Sequence, residues 1–208
     1  MRRPPLIATL VVLLAVATMI GIGLWQLHRL AWKEGLLAQY TASQNNAVPI
    51  AIGGADLPAD AAYRRVLWDC PAPGADQVVG GGNADGRSGW AHVVLCRHKT
   101  GQAAGAVTTI VPVVIGWSSA VAPVTWAGGA IAGVAVPGPK SGVRLPAPGA
   151  VSRNLDWHIV ADPPLAGLVA NARPDPRTIP NNHLSYAIQW FLFAATALVI
   201  YLLALRRR

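Results

Sequence analysis

Residues 4–27 read PPLIATLVVLLAVATMIGIGLWQL, and residues 184–205 read LSYAIQWFLFAATALVIYLLAL. Neither run contains a charged side chain. A bilayer core is about 30 Å thick and a helix rises about 1.5 Å per residue, so each run is long enough to cross. Lipid offers no partner for backbone N–H and C=O groups, so both runs must satisfy themselves as helices. Working outward from them, the reading divides the chain into an N-terminal segment 1–5, a first span 6–28 and a helix extension and linker 29–46. A soluble domain 47–180 follows, then a second span 181–205 with a capped start and a basic tail 206–208. The expected fold is an integral membrane protein, a two-helix transmembrane hairpin with an intervening mostly-β, or α+β, extramembrane domain.

A formal charge of +8 invites a nucleic-acid reading. The placement of the charges argues against it. Between Asn46 and Pro180 ten basic residues face eight acidic ones, a surplus of two, whereas the other seven basic residues flank the apolar runs. Those seven are Arg2, Arg3, Arg29, Lys33, Arg206, Arg207 and Arg208. Cations belong there to meet membrane lipid headgroups and resist translocation, so lipids are expected partners and nucleic acid is not.

Met1-Arg2-Arg3 followed by Ala15-Val16-Ala17 also fits a cleaved signal peptide. The apolar run continues through Met19-Ile20-Gly21-Ile22-Gly23-Leu24, however, which favours a retained helix. Five basic side chains at the outer flanks exceed the four at the inner flanks, Arg29, Lys33, Arg173 and Arg177. That bias puts both termini in the cytoplasm and the domain in the periplasm. With no Ser/Arg-rich transit peptide, a bacterial inner membrane is the expected location.

Between the spans, Gln39–Asn46 is polar and reads as a linker. Six short β-prone runs follow: Val48–Ile52, Tyr63–Trp68, Trp90–Cys96, Thr108–Ile115, Ala130–Val136 and Asp156–Val160. Gly, Pro, Asn and Asp clusters separate them, including Gly80-Gly81-Gly82-Asn83 and Pro137-Gly138-Pro139. This pattern predicts a barrel-like or sandwich-like domain. Pro112 predicts an edge strand or a bulge, and Pro164–Ala170 reads as one short helix.

Candidate chemistry in the middle is thin. Cys70 and Cys96 are compatible with a disulfide in an oxidising compartment, but their spacing does not demand one, and two buried free thiols are the plainer reading. No G-x-S-x-G, H-E-x-x-H, P-loop or C-x-x-C pattern occurs. His92, His98 and His158 read as strand histidines, and Glu34 is the single glutamate. An enzyme is not expected.

The informative residues lie where the spans reach water. Trp25-Gln26-Leu27-His28-Arg29-Leu30-Ala31-Trp32-Lys33 carries the first helix outward. Pro180-Asn181-Asn182 reads as a helix start with an asparagine side chain as cap. His183, Tyr186 and Trp190 follow at i, i+3 and i+7, on one helical face. An aromatic belt with snorkelling cations is the plain account. The sharper one is a site for a flat, amphipathic, anionic ligand such as a haem, a quinone headgroup or a phospholipid. In it an imidazole ligates iron, Arg29 or Lys33 meets carboxylates, and aromatic rings form apolar walls. Ala17 and Gly21 at i and i+4 are the small residues expected to let the helices approach.

Gly23-x-Trp25-Gln26-x-x-Arg29-x-x-Trp32-Lys33 resembles the opening signature of the surfeit locus protein one family, the cytochrome c oxidase assembly factors. Pro180-Asn181-Asn182-His183-Leu184-x-Tyr186-Ala187-x-Gln189-Trp190-Phe191 resembles its closing signature. Tyr63-Arg64-x-Val66 and Val114-Ile115-Gly116-Trp117 are similar to its middle motifs, with Ile115 where the family usually carries arginine. The resemblance implies a non-enzymatic assembly factor that binds haem a and delivers it to the catalytic subunit of a haem-copper oxidase. Haem a synthase is a further partner it implies. His183 corresponds to the family's haem-associated histidine and would ligate the iron, with Trp25, Arg29, Tyr186 and Trp190 shaping the pocket. A scaffold that stabilises an early oxidase subunit without touching haem is the competing expectation.

Overall fold

The computed structural model describes residues 5–52, 57–58, 60–100, 107–144, 152–153 and 157–207. The chain is a two-span membrane protein with a β-rich extramembrane domain. Two compact units divide it: residues up to Ala38 together with those from Arg177 form a helical unit, and Gln39–Pro176 form a β unit.

The helical unit holds helix α1, Leu6–Gln44, up to Ala38, and helix α2, His183–Arg206. At 39 residues α1 is roughly 58 Å long, about twice the hydrocarbon thickness. It therefore runs through the polar segment from Gln39 that the sequence presents as a linker. Polarity there does not break the helix, because Gln39–Gln44 contains neither Gly nor Pro, and its Gln, Tyr, Thr, Ala and Ser residues each cost less than about 0.7 kcal/mol in a helix.

The partly buried residues of α1 recur as Thr9, Val12, Val16, Met19, Gly23, Gln26, Leu30 and Lys33. On α2 the recurrence is His183, Ala187, Trp190, Ala194, Ala197 and Tyr201. Alternating steps of three and four place each set on one stripe, the pattern of two helices sharing a long seam. Thr9 meets Tyr201 near one end of the seam, and Gln26 meets His183 near the other. Between them, a Cβ added to Gly23 would lie 2.6 Å from the Phe191 ring. Gly23 is thus the small residue that lets the helices close. Gly21 has open space around it and Ala17 is exposed, so that expected pair faces away from the seam.

The β unit is built on strands β1 (Ile50–Ala51), β2 (Arg65–Cys70), β3 (Ala72–Pro73), β4 (Gln77–Gly82), β5 (Ser88–Thr100), β6 (Val107–Ser118), β7 (Gly129–Pro137), β8 (Ser152–Arg153) and β9 (Trp157–Ala161). They form one sheet in the order β1-β2-β7-β9-β6-β5-β3, with β4 added to β5 and β8 to β6. Each of the six β-prone runs overlaps a strand, though Val48–Ile52 contributes only Ile50–Ala51 and Tyr63–Arg64 precede β2; Asp156 lies outside the described residues. The sequence reading missed β4 because its Gly80-Gly81-Gly82 end reads as a turn; it is a paired strand with Gly81 close-packed on Ala91.

The sheet curls on itself. β3 follows β2 after one residue, yet it pairs with β5 at the far side of the order. Cys70 and Cys96 are joined by a disulfide across the same closure, with Cα atoms 5.4 Å apart. This corrects the free-thiol reading and selects the barrel-like alternative. The β9 residues are buried along the whole strand, and alternate residues Val66, Trp68 and Cys70 of β2 turn inward. Together with Val94, Val111, Val113, Ile115, Ile131 and Ile159 these form the main core.

Pro112 lies in interior strand β6, opposite Leu95, and not on an edge. On its other side β8 pairs Thr109 and Ile110, while β9 pairs Val113 and Val114, so Pro112 falls between the two segments. The register shift lies nearby, where His92 and Val93 face Gly116 and Val114 and leave Ile115 as the extra residue. Ile115 is fully buried, which fits an apolar residue there better than a charge. Pro164–Ala170 forms turns rather than a helix, tied to β6 by Leu165 N–H donating to Ile115 O and by the Trp117–Val169 bridge.

Two outcomes test this architecture. Closing a loop of separation 26 restricts the unfolded chain by about 3 kcal/mol. The Cys70→Ser, Cys96→Ser double variant should lose about that much in thermal unfolding of the full chain. An unchanged melting temperature would deny the bridge a structural role.

His158, on β9, donates from Nδ1 to Gly138 O at 2.9 Å. Burial pushes its pKa below the ordinary imidazole value, the Gly138 bond pulls it up, and Lys140 pushes it down again, for a net fall. Below about pH 6.5 the unfolded chain therefore takes a proton that the folded state resists. Stability should be full above that range and fall as pH drops through it, and His158→Gln should flatten the slope when melting is followed from pH 7.5 to 5.

Candidate functional site

Both signatures end in the same place. Gln26 stands at the end of the charge-free run of α1, one turn beyond Gly23, and His183 opens α2. Close approach at Gly23 brings the two side chains together, with His183 Nδ1 2.7 Å from Gln26 Oε1. An amide oxygen only accepts, so Nδ1 carries a proton, and in the neutral ring Nε2 then keeps its lone pair. Further along, Lys33 Nζ donates to Pro180 O, fastening the approach to α2 onto α1. The expected asparagine cap does not form: Asn182 makes no side-chain cap bond, and Tyr186 N–H donates instead to its backbone carbonyl. Asn181 Oδ1 is buried without a hydrogen-bond partner among the described residues.

The other expected site residues are placed differently. Tyr186 is half-exposed and flanks the seam one turn beyond His183. Trp190 is partly buried on the seam, its ring in edge contact with Phe193 at 6.0 Å. Arg29 lies over the Trp32 ring of its own helix, 4.2 Å from the centroid. An exposed cation–π contact of about 0.5–1 kcal/mol leaves that guanidinium free to exchange partners. Trp25 is 55% exposed and, two residues after Gly23, sits on the far side of α1 from the seam. Its position is that of an interfacial belt residue. Gln26 is the contributor that sequence reasoning left without a role, because only the position of α2 reveals its partner.

A second constellation lies in the β unit. His92 on β5 is fully buried, with Nδ1 2.6 Å from Asp76 Oδ2 and Nε2 2.8 Å from Ser118 Oγ. Asp76 Oδ2 also accepts from Val124 N–H. An Asp–His–Ser order raises the question of a nucleophile. The hydroxyl has one proton, and Ala120 O lies 2.6 Å from Oγ, so Ser118 is drawn to a backbone carbonyl as well as to the imidazole. The network pins the 119–124 segment across the ends of β5 and β6. His92 is a strand histidine, as its setting in the sequence indicates, but a polar tie rather than passive core. The remaining histidine of that strand, His98, has a side chain outside the described residues.

The middle motifs are architectural. Tyr63 is buried at φ 61° and its ring lies tilted by 39° against that of Tyr40, with centroids 5.0 Å apart. Burial first, then Tyr40 and Asp175, raise its pKa. Trp117 covers Gly89 so closely that a Cβ there would lie 2.3 Å from the ring.

Residues 13–195 match the SURF1 family, a span that includes both spanning helices, the seam and the β unit. The chain belongs to the SURF1 family. This is the surfeit locus protein 1 family, which is involved in cytochrome c oxidase assembly. Compared with individual curated proteins, the chain has no match. In this SURF1-family chain the matched region contains Gly23, Gln26 and His183, so the contact between the helices is built from family segments.

The role of Gly23 can be measured with spin labels at Trp25 and Tyr186, both exposed. Gly23→Leu should lengthen the separation by about 1–2 Å, because interhelical distance follows the contact side chains. Gly23→Ala should do less. An unchanged distance distribution for Gly23→Leu would show that Phe191 does not rest on this position.

Proposed function

We propose that the protein binds haem a transiently at His183 and helps deliver it to the catalytic subunit of a haem-copper oxidase. The observation that carries the reading is the Gln26–His183 contact: an imidazole held at the end of two charge-free runs, its Nδ1 on Gln26 and its Nε2 without a partner among the described residues. Among the described residues no three His, Cys, Asp or Glu side chains are grouped to hold a bare metal ion. A porphyrin brings its own ring nitrogens, so one imidazole is a sufficient protein ligand. The residues fit such a cargo. Tyr186 and Trp190 supply ring surface beside the imidazole, and Lys33 and Arg29 supply cations for propionates at the water line.

The role is that of a non-enzymatic carrier. A carrier must release its load, and a single protein ligand with labile cationic contacts gives moderate affinity. A bacterial inner membrane location, with cytoplasmic termini and a periplasmic β unit, follows the basic flanks. The Cys70–Cys96 bridge favours the same oxidising side.

The test is pigment extraction from full-length protein purified from cells that make haem a. Wild type should retain haem a, and His183→Ala should lose roughly tenfold or more, the usual scale for losing a metal-site interaction. Equal haem content in the two would reject His183 as ligand and favour a scaffold that never touches haem.

A further inference from the structure

We infer that Gln26 is a positioning residue that sets the tautomer of His183, so that the ring presents Nε2 to an iron centre. The inference rests on the haem reading for its purpose, but its physical content is independent of any ligand. Neutral imidazole carries one proton, on either nitrogen, and only the other nitrogen can bind metal. Which nitrogen carries it is decided by the hydrogen bond the ring makes. Here Nδ1 faces Gln26 Oε1 at 2.7 Å. The bond therefore holds the proton on Nδ1 and leaves Nε2 bare before any cargo arrives.

The geometry also says why glutamine stands at this position. The seam is apolar on either side: Gly23 packs on Phe191, and Ala187 is fully buried one turn along α2. A carboxylate at residue 26 would bring an ionised group toward this surface at a desolvation cost. An aliphatic residue would leave Nδ1–H without a partner and free the proton to move to Nε2. The carboxamide accepts one hydrogen bond while staying neutral. Its opposite rotamer, with the NH2 group toward Nδ1, would force the proton onto Nε2 and disable the ligand, so the two orientations predict opposite states of the ring.

Full-length protein labelled with 15N-histidine, in detergent and without haem, reads this directly. The His183 resonances, assigned by their loss in His183→Ala, should report a proton on Nδ1. Gln26→Leu should shift them to a mixture or to the Nε2–H form, and Gln26→Glu should restore Nδ1–H. A wild-type Nε2–H ring, or a tautomer indifferent to Gln26→Leu, would overturn the inference. Titration with ferric protoporphyrin IX supplies the second readout. Gln26→Leu should weaken binding roughly ten- to a hundredfold. Gln26→Glu should recover it and lower the midpoint potential of the bound haem, because a carboxylate partner makes the ring a stronger donor. A merely structural residue would not move the potential, so an unchanged midpoint in Gln26→Glu also counts against the inference. If His183→Ala binds the porphyrin as well as wild type while the tautomer still responds to Gln26, the haem reading has failed and the positioning role stands.

Discussion

Two helices from opposite ends of the sequence can build a shared site only if their backbones come close, and in lipid no hydrophobic force drives them together. Packing must do it. Gly23 against the Phe191 ring supplies the contact, and Thr9–Tyr201 and Lys33–Pro180 hold the seam on either side of it. Gln26 and His183 are 157 residues apart in the chain, and their meeting is a consequence of that fit. Any side chain at residue 23 would have to displace the ring before the imidazole could find its acceptor.

The β unit solves a different problem, the unpaired edge. A sheet of this length has two open edges that invite pairing with other chains. Here the strand leaving β2 crosses directly to β5 as β3, and the Cys70–Cys96 bridge fixes the crossing. Interior strand β9 is then covered on both faces, so every residue of Trp157–Ala161 is buried, His158 included, instead of alternate ones. The buried Asp76–His92–Ser118 chain belongs to this closure: it joins β5, the end of β6 and the segments beside them, and satisfies both ring nitrogens of His92, while Asp76 Oδ1 has no partner among the described residues.

The spans were legible because exclusion of charge over twenty residues has few other causes, and the strands because β-branched runs between turn residues are local signals. Membership of the family was legible in the segments around Gly23 and His183, both within residues 13–195. What could not be read was anything set by a partner distant in sequence. Gly21 and Gly23 look alike in the chain, and only Phe191 distinguishes them. Gly80–Gly82 resembles a turn until Ala91 packs against Gly81. Asp76, His92 and Ser118 sit in three separate segments with no motif spacing, so their network is visible only once β5 and β6 pair. The Asn182 cap failed for a local reason: its backbone leads into the helix without the extended geometry that aims a cap side chain at the first N–H groups.

The placement of Trp25 bears on how such a site would work. Trp25 and the Arg29–Trp32 pair lie away from the seam, while His183 and Gln26 lie within it. The outward aromatic residues and the Gln26–His183 contact therefore occupy different faces of α1. Tryptophans on the outer face fix the depth of α1 in the headgroup region. Under the proposed haem role, that depth would set the imidazole where a porphyrin ring could rest in hydrocarbon and its carboxylates in water, open to an acceptor arriving within the same membrane.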